Sequence, residues 1–160
     1  MEMIGFEQHD HDACTASTLA TAESYCRTHR LQFTPTRRRV LEFLIEEHKA
    51  LGAYDLLARL SQEGLGTQPP VVYRALDFLL AHGFIHKIER LNAYAACTQP
   101  LESHTPIFMI CRACQSVAEA FSSLSHSVLG KAARQTGFRI EQSVIEARGL
   151  CPNCIAAGVV

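Results

Sequence analysis

The sequence predicts an α+β protein in two parts, a helical amino-terminal part followed by a smaller α/β part. Three observations carry this. Apolar residues recur at helical spacing three times between Thr34 and His82. Strand-like alternation takes over from Phe84 onward. Potential metal ligands concentrate in the same later stretch, which ends in the pairs Cys111-Arg-Ala-Cys114 and Cys151-Pro-Asn-Cys154.

At 160 residues the chain can bury a core as one domain or as two small ones. An apolar fraction of 48% with 19% charged residues is that of a soluble globular protein. No run approaches the roughly 18–20 apolar residues of a membrane span. The acidic start, MEMIGFEQHDHD, lacks the basic residues and apolar core of a secretion signal, so the cytoplasm is the expected compartment. There, seven cysteines fit metal binding and free thiols better than disulfides. The net charge of −1 hides an uneven distribution: residues 1–24 carry five acids and no Lys or Arg, whereas residues 25–92 carry ten bases against seven acids. A mildly basic module inside a neutral chain permits DNA binding through a local patch.

Residues 1–16 read as a flexible acidic tail in which His9, Asp10, His11, Asp12 and Cys14 offer at most a weak metal site. From Ser17 to about His29, Leu19, Ala22, Tyr25 and Cys26 fit a helix, with Cys26 a small core residue. Thr34-Pro35-Thr36 starts a second helix to about His48, with Val40, Leu41, Leu44 and Ile45 inward. Arg37, Arg38 and Arg39 crowd its first turn, where the helix dipole favours an anion such as phosphate; a solvated basic face is the alternative. A third helix spans about 53–62, with Tyr54, Leu56, Leu57 and Leu60 inward, and Gly64 and Gly66 end it. Pro69-Pro70 opens a fourth, to about His82, with Val72, Leu76, Leu79 and Leu80 buried and Gly83 as the stop. Arg74 lies opposite that stripe, flanked by Tyr73 and Asp77.

Two short strands, 84–90 and 93–97, then turn at Leu91-Asn92. Helix, helix, helix, hairpin is the order of a winged helix-turn-helix over residues 17–97. In that arrangement the last helix enters the major groove, so Arg74 is the base-reading candidate, Tyr73 contacts the backbone, and the preceding helix grips phosphates. After a hinge loop, 98–106, the second part (107–160) starts with the apolar run Ile107–Ile110 and a strand through Val117 to about Phe121. A helix from Ser122 to Thr136 is expected to bury Leu124, Val128, Leu129 and Ala132, with Gly137 as its end. A strand through Phe138, Ile140 and Val144 is expected to follow.

The two C-x-x-C pairs are separated by residues 115–150 and together supply a tetrahedral S₄ shell for a structural zinc: Cys111, Cys114, Cys151 and Cys154. His86, Cys97, His104 and Glu119 are more dispersed, and spacing alone does not join them. Two imidazoles, one thiolate and one carboxylate would balance the charge of a second, regulatory Zn²⁺ that ties the two parts together. Two zinc ions per chain are therefore expected. An enzyme is not expected, nor a small-molecule substrate, because no H-E-x-x-H helix, paired acid and base or phosphate-cradling glycine loop is present. The alternative from that class is a zinc-dependent hydrolase in which this second site keeps one position open for water.

Several segments are similar to those of the ferric uptake regulator family, and within it the zinc uptake branch. These are Leu31-Gln-Phe-Thr-Pro-Thr-Arg37, Ala53-Tyr-Asp-Leu-Leu57, the stretch Pro69–Leu80, Gly83-Phe-Ile-His-Lys87 and Val144–Cys154. The resemblance implies a homodimeric repressor of zinc uptake genes, with a carboxy-terminal dimerisation domain, that binds an AT-rich palindromic operator when zinc-loaded. It assigns Cys111, Cys114, Cys151 and Cys154 to structural zinc; His86, Cys97, His104 and Glu119 to sensing; and Tyr73 and Arg74 to DNA contact. Departures from the family pattern include a single His104 where iron-sensing members carry a histidine-rich run, and Val71 where relatives carry a hydroxyl. A member sensing another metal or peroxide is the alternative within the family.

Overall fold

The computed structural model describes residues 3–4, 11–46, 49–122 and 127–160. The chain divides into two compact units, Gln8–Leu101 and Glu102–Val160, the latter including the strand at the amino terminus.

The first unit is built on four helices. Helix α1 spans His11–Thr28, α2 Pro35–Glu46, α3 Ala53–Gln62 and α4 Pro69–Ala81. Helix α1 starts at His11, so 11–16 are helical rather than tail; Ala13, Ala16 and Ala20 are strong helix formers among the polar residues that suggested a loose end. His9 and Asp10, and with them the weak metal site considered for the tail, lie outside the described residues. Thr34 caps α2, accepting the Arg37 N–H on Oγ1 at 3.3 Å. Val40, Leu41, Leu44, Leu56, Leu60, Val72, Leu76 and Leu79 interlock as the core. Each such side chain contributes about 1.5–3 kcal/mol by leaving water. Tyr54, expected inward, is 70% exposed, because it lies about 100° around α3 from Ala53 and outside the Leu56, Leu57 and Leu60 stripe.

Gly83 takes φ +73° after α4, and the next amide, of Phe84, donates back to the Leu79 carbonyl at 3.0 Å. That turn returns the fully buried Phe84 to the core and launches the wing. Strands β2 (Ile85–Ile88) and β3 (Ala93–Ala96) pair antiparallel, with His86 opposite Ala95. The connection is a 3-10 turn, Glu89–Leu91, closed by left-handed Asn92. Leu51 and Tyr94 exchange backbone hydrogen bonds of 3.0 and 2.8 Å, which anchors the hairpin to the α2–α3 link.

The second unit is a four-stranded sheet of order β1-β5-β4-β6. Strand β1 is Met3–Ile4, β4 Thr105–Cys111, β5 Val117–Ser122 and β6 Ile145–Gly149. Strands β4 and β5 are antiparallel, with Phe108 opposite Glu119. Strand β6 runs parallel to β4, with Cys111 opposite Gly149. The amino-terminal strand places Ile4 opposite Glu119 on β5, although this segment reads as tail in the sequence.

Helix α5 spans Val128–Thr136, shorter than expected; Leu124 lies outside the described residues. Its inward residues are the small Gly130 and Ala133, while Val128, Leu129 and Ala132 are exposed, the reverse of the expected face. The strand expected from Phe138 begins only at Ile145, where pairing with β4 starts. A short helix α6, Pro152–Ala156, closes the second cysteine pair.

Candidate metal centres and nucleic-acid surface

The β4–β5 turn presents Cys111 and Cys114, and the β6–α6 junction presents Cys151 and Cys154. All four sulfurs lie within 4.8 Å of one another. Cys114 and Cys151 Sγ are 3.7 Å apart. A Zn–S bond of 2.3 Å in a regular tetrahedron requires about 3.8 Å between sulfurs, so this pair spans one edge of a zinc site and the other two sulfurs lie near enough to complete it. Backbone amides prepare the sulfurs for charge. Those of Cys114 and Cys151 hold the Cys111 thiol down at about 6, and the latter N–H donates to Cys111 Sγ at 3.4 Å. The Ser116 hydroxyl, then its amide, lowers Cys114. Cys154 is pushed up to about 12, first by the Cys151 sulfur and then by burial. A cation among the sulfurs would offset the crowding that raises Cys154.

The other predicted ligands form two pairs, one in each unit. On the wing, the Cys97 N–H donates to Phe84 O at 2.9 Å, which extends the ladder by one position beyond Ile85–Ala96. His86 and Cys97 are therefore diagonal neighbours on one face of the hairpin, with their donor atoms within 4.8 Å. Cys97 is buried and His86 half-buried. In the second unit, His104 immediately precedes β4, and its Nδ1–H donates to the Glu102 carbonyl at 2.8 Å. That bond leaves the Nε2 lone pair available as a ligand, the usual arrangement of a metal-binding imidazole. Nε2 lies 3.4 Å from Oε1 of the buried Glu119. Two donors about 2.05 Å from one zinc sit about 3.3 Å apart in a tetrahedron, so this pair matches one edge. Phe121 braces the imidazole edge-on, with ring centroids 5.0 Å apart, a contact the sequence did not signal.

Helix α4 exposes Tyr73, Arg74 and Asp77 along one face. Val71 sits differently: a Cβ on Gly66 would meet its Cγ1 at 2.5 Å, so its side chain packs over the turn that leads into α4. The three arginines of α2 are engaged inside the unit. Arg37 lies 3.8 Å from the Phe78 ring centroid and donates to the Gln32 carbonyl. Arg38 pairs with Glu23 and Glu42. Arg39 donates to both Glu63 oxygens, at 2.7 and 2.8 Å, and reaches Glu42 at 2.9 Å. Glu63 is held below the usual carboxylate range by those bonds from Arg39.

A winged helix followed in one chain by an α/β unit with paired thiolate knuckles defines a metal-binding, DNA-binding regulator. The chain belongs to the ferric uptake regulator family, which it matches over residues 28–148. It is 40% identical over 144 residues to the zinc uptake regulation protein of Escherichia coli (strain K12), covering 88% of this chain and 83% of that one. Among solved structures it resembles a zinc uptake regulator complexed with zinc and DNA, with a TM-score of 0.84 and 37% identity over 91% of this chain and 98% of the other. It also resembles holo XcZur, with a TM-score of 0.77 and 38% identity over 88% and 98% of the two chains. No helix of the described residues is long and apolar enough to cross a membrane.

Proposed function

We propose that this chain is a zinc-dependent repressor of zinc uptake genes, acting as a homodimer on a palindromic, AT-rich operator in the cytoplasm. The observation that carries the reading is the thiolate-rich donor set on a chain so similar to a regulator solved with zinc and DNA. The family is one of transcription regulators, and the chain is read as a regulator rather than an enzyme.

Two zinc ions per chain are proposed. Cys111, Cys114, Cys151 and Cys154 hold a structural one. His86 and Cys97 from the wing, with His104 and Glu119 from the second unit, hold a regulatory one. Each of these pairs offers two donors and cannot close a tetrahedral shell alone; together their charge offsets that of Zn²⁺, and only Thr98–Ser103 separates Cys97 from His104. The thiolate, with only two imidazoles, suits zinc better than iron or manganese. Bound zinc would supply directed bonds to side chains of both units.

The exposed apolar residues of the second unit, Val128 and Leu129 on α5 with Phe138, Val144 and Ile145 leading into the sheet-edge strand β6, fit a contact between two copies. In the dimer, α4 of each copy enters successive major grooves about 34 Å apart. Arg74 reads a base, while Tyr73 and the α2 turn at Arg37 and Arg38 face the backbone; Arg39, held by Glu63 and Glu42, serves the fold of the unit. Zinc acts by favouring the arrangement that meets this spacing; a full switch from 1:99 to 99:1 takes about 5.5 kcal/mol.

Operator binding by fluorescence anisotropy in zinc buffers, with iron(II) and manganese(II) alongside, tests the reading. A steep gain with zinc alone as bound zinc rises from one to two per chain supports it. The same gain with iron, or none with zinc, overturns the assignment.

A further inference from the structure

Ser116 closes the first cysteine knuckle in two ways. Its carbonyl accepts the Cys111 N–H at 2.9 Å, and its hydroxyl lies 2.9 Å from Cys114 Sγ. A zinc-bound thiolate carries no proton, so the hydroxyl donates to the sulfur in a charge-assisted bond. The turn is shaped to bring it there. Gln115 adopts φ +63°, a conformation that costs a non-glycine residue about 1–2 kcal/mol, and its side-chain amide braces the turn on the Arg112 carbonyl at 3.2 Å. Cys111 and Cys151 are buried, whereas Cys114 and Cys154 are half-exposed. Competing ligands and electrophiles therefore reach two of the four sulfurs, and Ser116 holds one of them.

We propose that Ser116 is a positioning residue for the Cys111/Cys114/Cys151/Cys154 zinc site, its hydroxyl fixing the Cys114 thiolate in its tetrahedral corner and slowing its release. The proposal rests on the reading of these cysteines as a zinc site. A hydrogen bond to a ligand sulfur acts twice. It restricts the cysteine to the rotamer that meets the metal, and it draws charge from the lone pairs that an attacking proton or electrophile would use. Partners of this kind change metal affinity by about 10–100-fold when removed. The half-exposed position puts Ser116 at the low end of that range.

The test compares zinc-loaded full-length chains carrying Ser116→Ala or Ser116→Thr with the unmodified protein. Each is also made with Cys97→Ser, so that the structural ion alone is read. Two rates are followed: zinc transfer to an excess of a chromophoric chelator, and alkylation by iodoacetamide resolved cysteine by cysteine by mass spectrometry. The expected result is about ten-fold faster transfer in Ser116→Ala, with the gain in alkylation concentrated at Cys114, and recovery of both rates in Ser116→Thr. Unchanged rates in Ser116→Ala overturn the proposal. So does an equal gain in alkylation at all four cysteines, which marks general loosening of the unit. Absence of chelatable zinc from the Cys97→Ser protein with Ser116 intact overturns the zinc reading itself, and the proposal with it.

Discussion

Cys114 and Cys151, 37 positions apart in sequence, hold their sulfurs 3.7 Å apart, the edge length of a ZnS₄ tetrahedron. That single distance joins the β4–β5 turn to the end of β6, the last strand of the sheet. Zinc binding at such sites contributes on the order of 10 kcal/mol in small peptides, comparable with the whole stability of a small domain. Cys151→Ser is therefore expected to lose one zinc per chain and the cooperative folding of the second unit. Hydrogen exchange checks this: amides of β4–β6 lose protection while those of α2–α4 keep theirs. Retained protection in β4–β6 would show the sheet to be stable without the ion.

The winged helix and the cysteine knuckles were legible in the sequence because each rests on a local signal. Proline starts, glycine stops and the Leu76–Leu79 stripe define α4 within a few residues, and a C-x-x-C pair declares its own geometry. The errors fall where the deciding contacts are distant. Alternation at Phe138 and Ile140 suggested a strand, but strand pairing with β4 begins only at Ile145. The outward turn of Val128 and Leu129 reverses what hydrophobicity alone implies, since apolar spacing does not say which face of a helix its own sheet will cover. Distant too are the carboxylate and aromatic partners of Arg37, Arg38 and Arg39, from α1, α2, the α3 end and α4, which the run of three arginines does not announce.

Arg39 and Glu63 set a pH dependence. Glu63 is depressed in the folded state by Arg39, so its contribution is fully present above the unfolded glutamate value of about 4.3 and is lost as pH falls through the lower folded value. Glu63→Gln should lower Tm at pH 7, and the difference from the unmodified protein should shrink as pH falls below the unfolded value and vanish once it has passed the lowered folded value. Thermal melts across that range check it. A difference that stays constant throughout the acid descent would point to packing instead of charge.

The same bonds separate two arginines that the sequence offers for DNA contact, Arg74 to a base and Arg39 to phosphate. Arg74 is exposed on α4, whereas Arg39 is held by Glu63 and Glu42. Arg74→Ala is expected to weaken operator binding by about 1–3 kcal/mol and to relax discrimination at one base pair. Arg39→Gln is expected to lower Tm while leaving the salt dependence of DNA binding nearly unchanged; loss of a phosphate contact would reduce that slope by about 1. Anisotropy titrations at several salt concentrations distinguish the two.

Phe138 is 68% exposed in the single chain and Leu129 44%. Placing a charge there costs the isolated fold little, but a contact between copies would have to bury it unpaired, which is strongly unfavourable. Leu129→Asp with Phe138→Asp should shift the protein to a monomer in analytical ultracentrifugation, with the zinc count at the Cys₄ site intact. A dimer that survives both changes would place the interface elsewhere on the unit.

Cys97 separates sensing from folding. It is 2% exposed and sits diagonally from His86 on the wing, and the other proposed donors, His104 and Glu119, already lie 3.4 Å apart in their own unit. Serine is nearly isosteric and leaves the wing ladder unchanged, but its hydroxyl is a far poorer zinc ligand than a thiolate. Cys97→Ser is therefore expected to bind one zinc per chain rather than two. Its melting behaviour should match that of the unmodified protein without regulatory zinc, and its operator affinity should stay at the zinc-free level in all zinc buffers. Zinc counts with parallel anisotropy titrations read both quantities. If Cys97→Ser kept the full zinc response with a single ion bound, sensing would belong to the Cys₄ site, and His86, His104 and Glu119 would be structural residues of their own units.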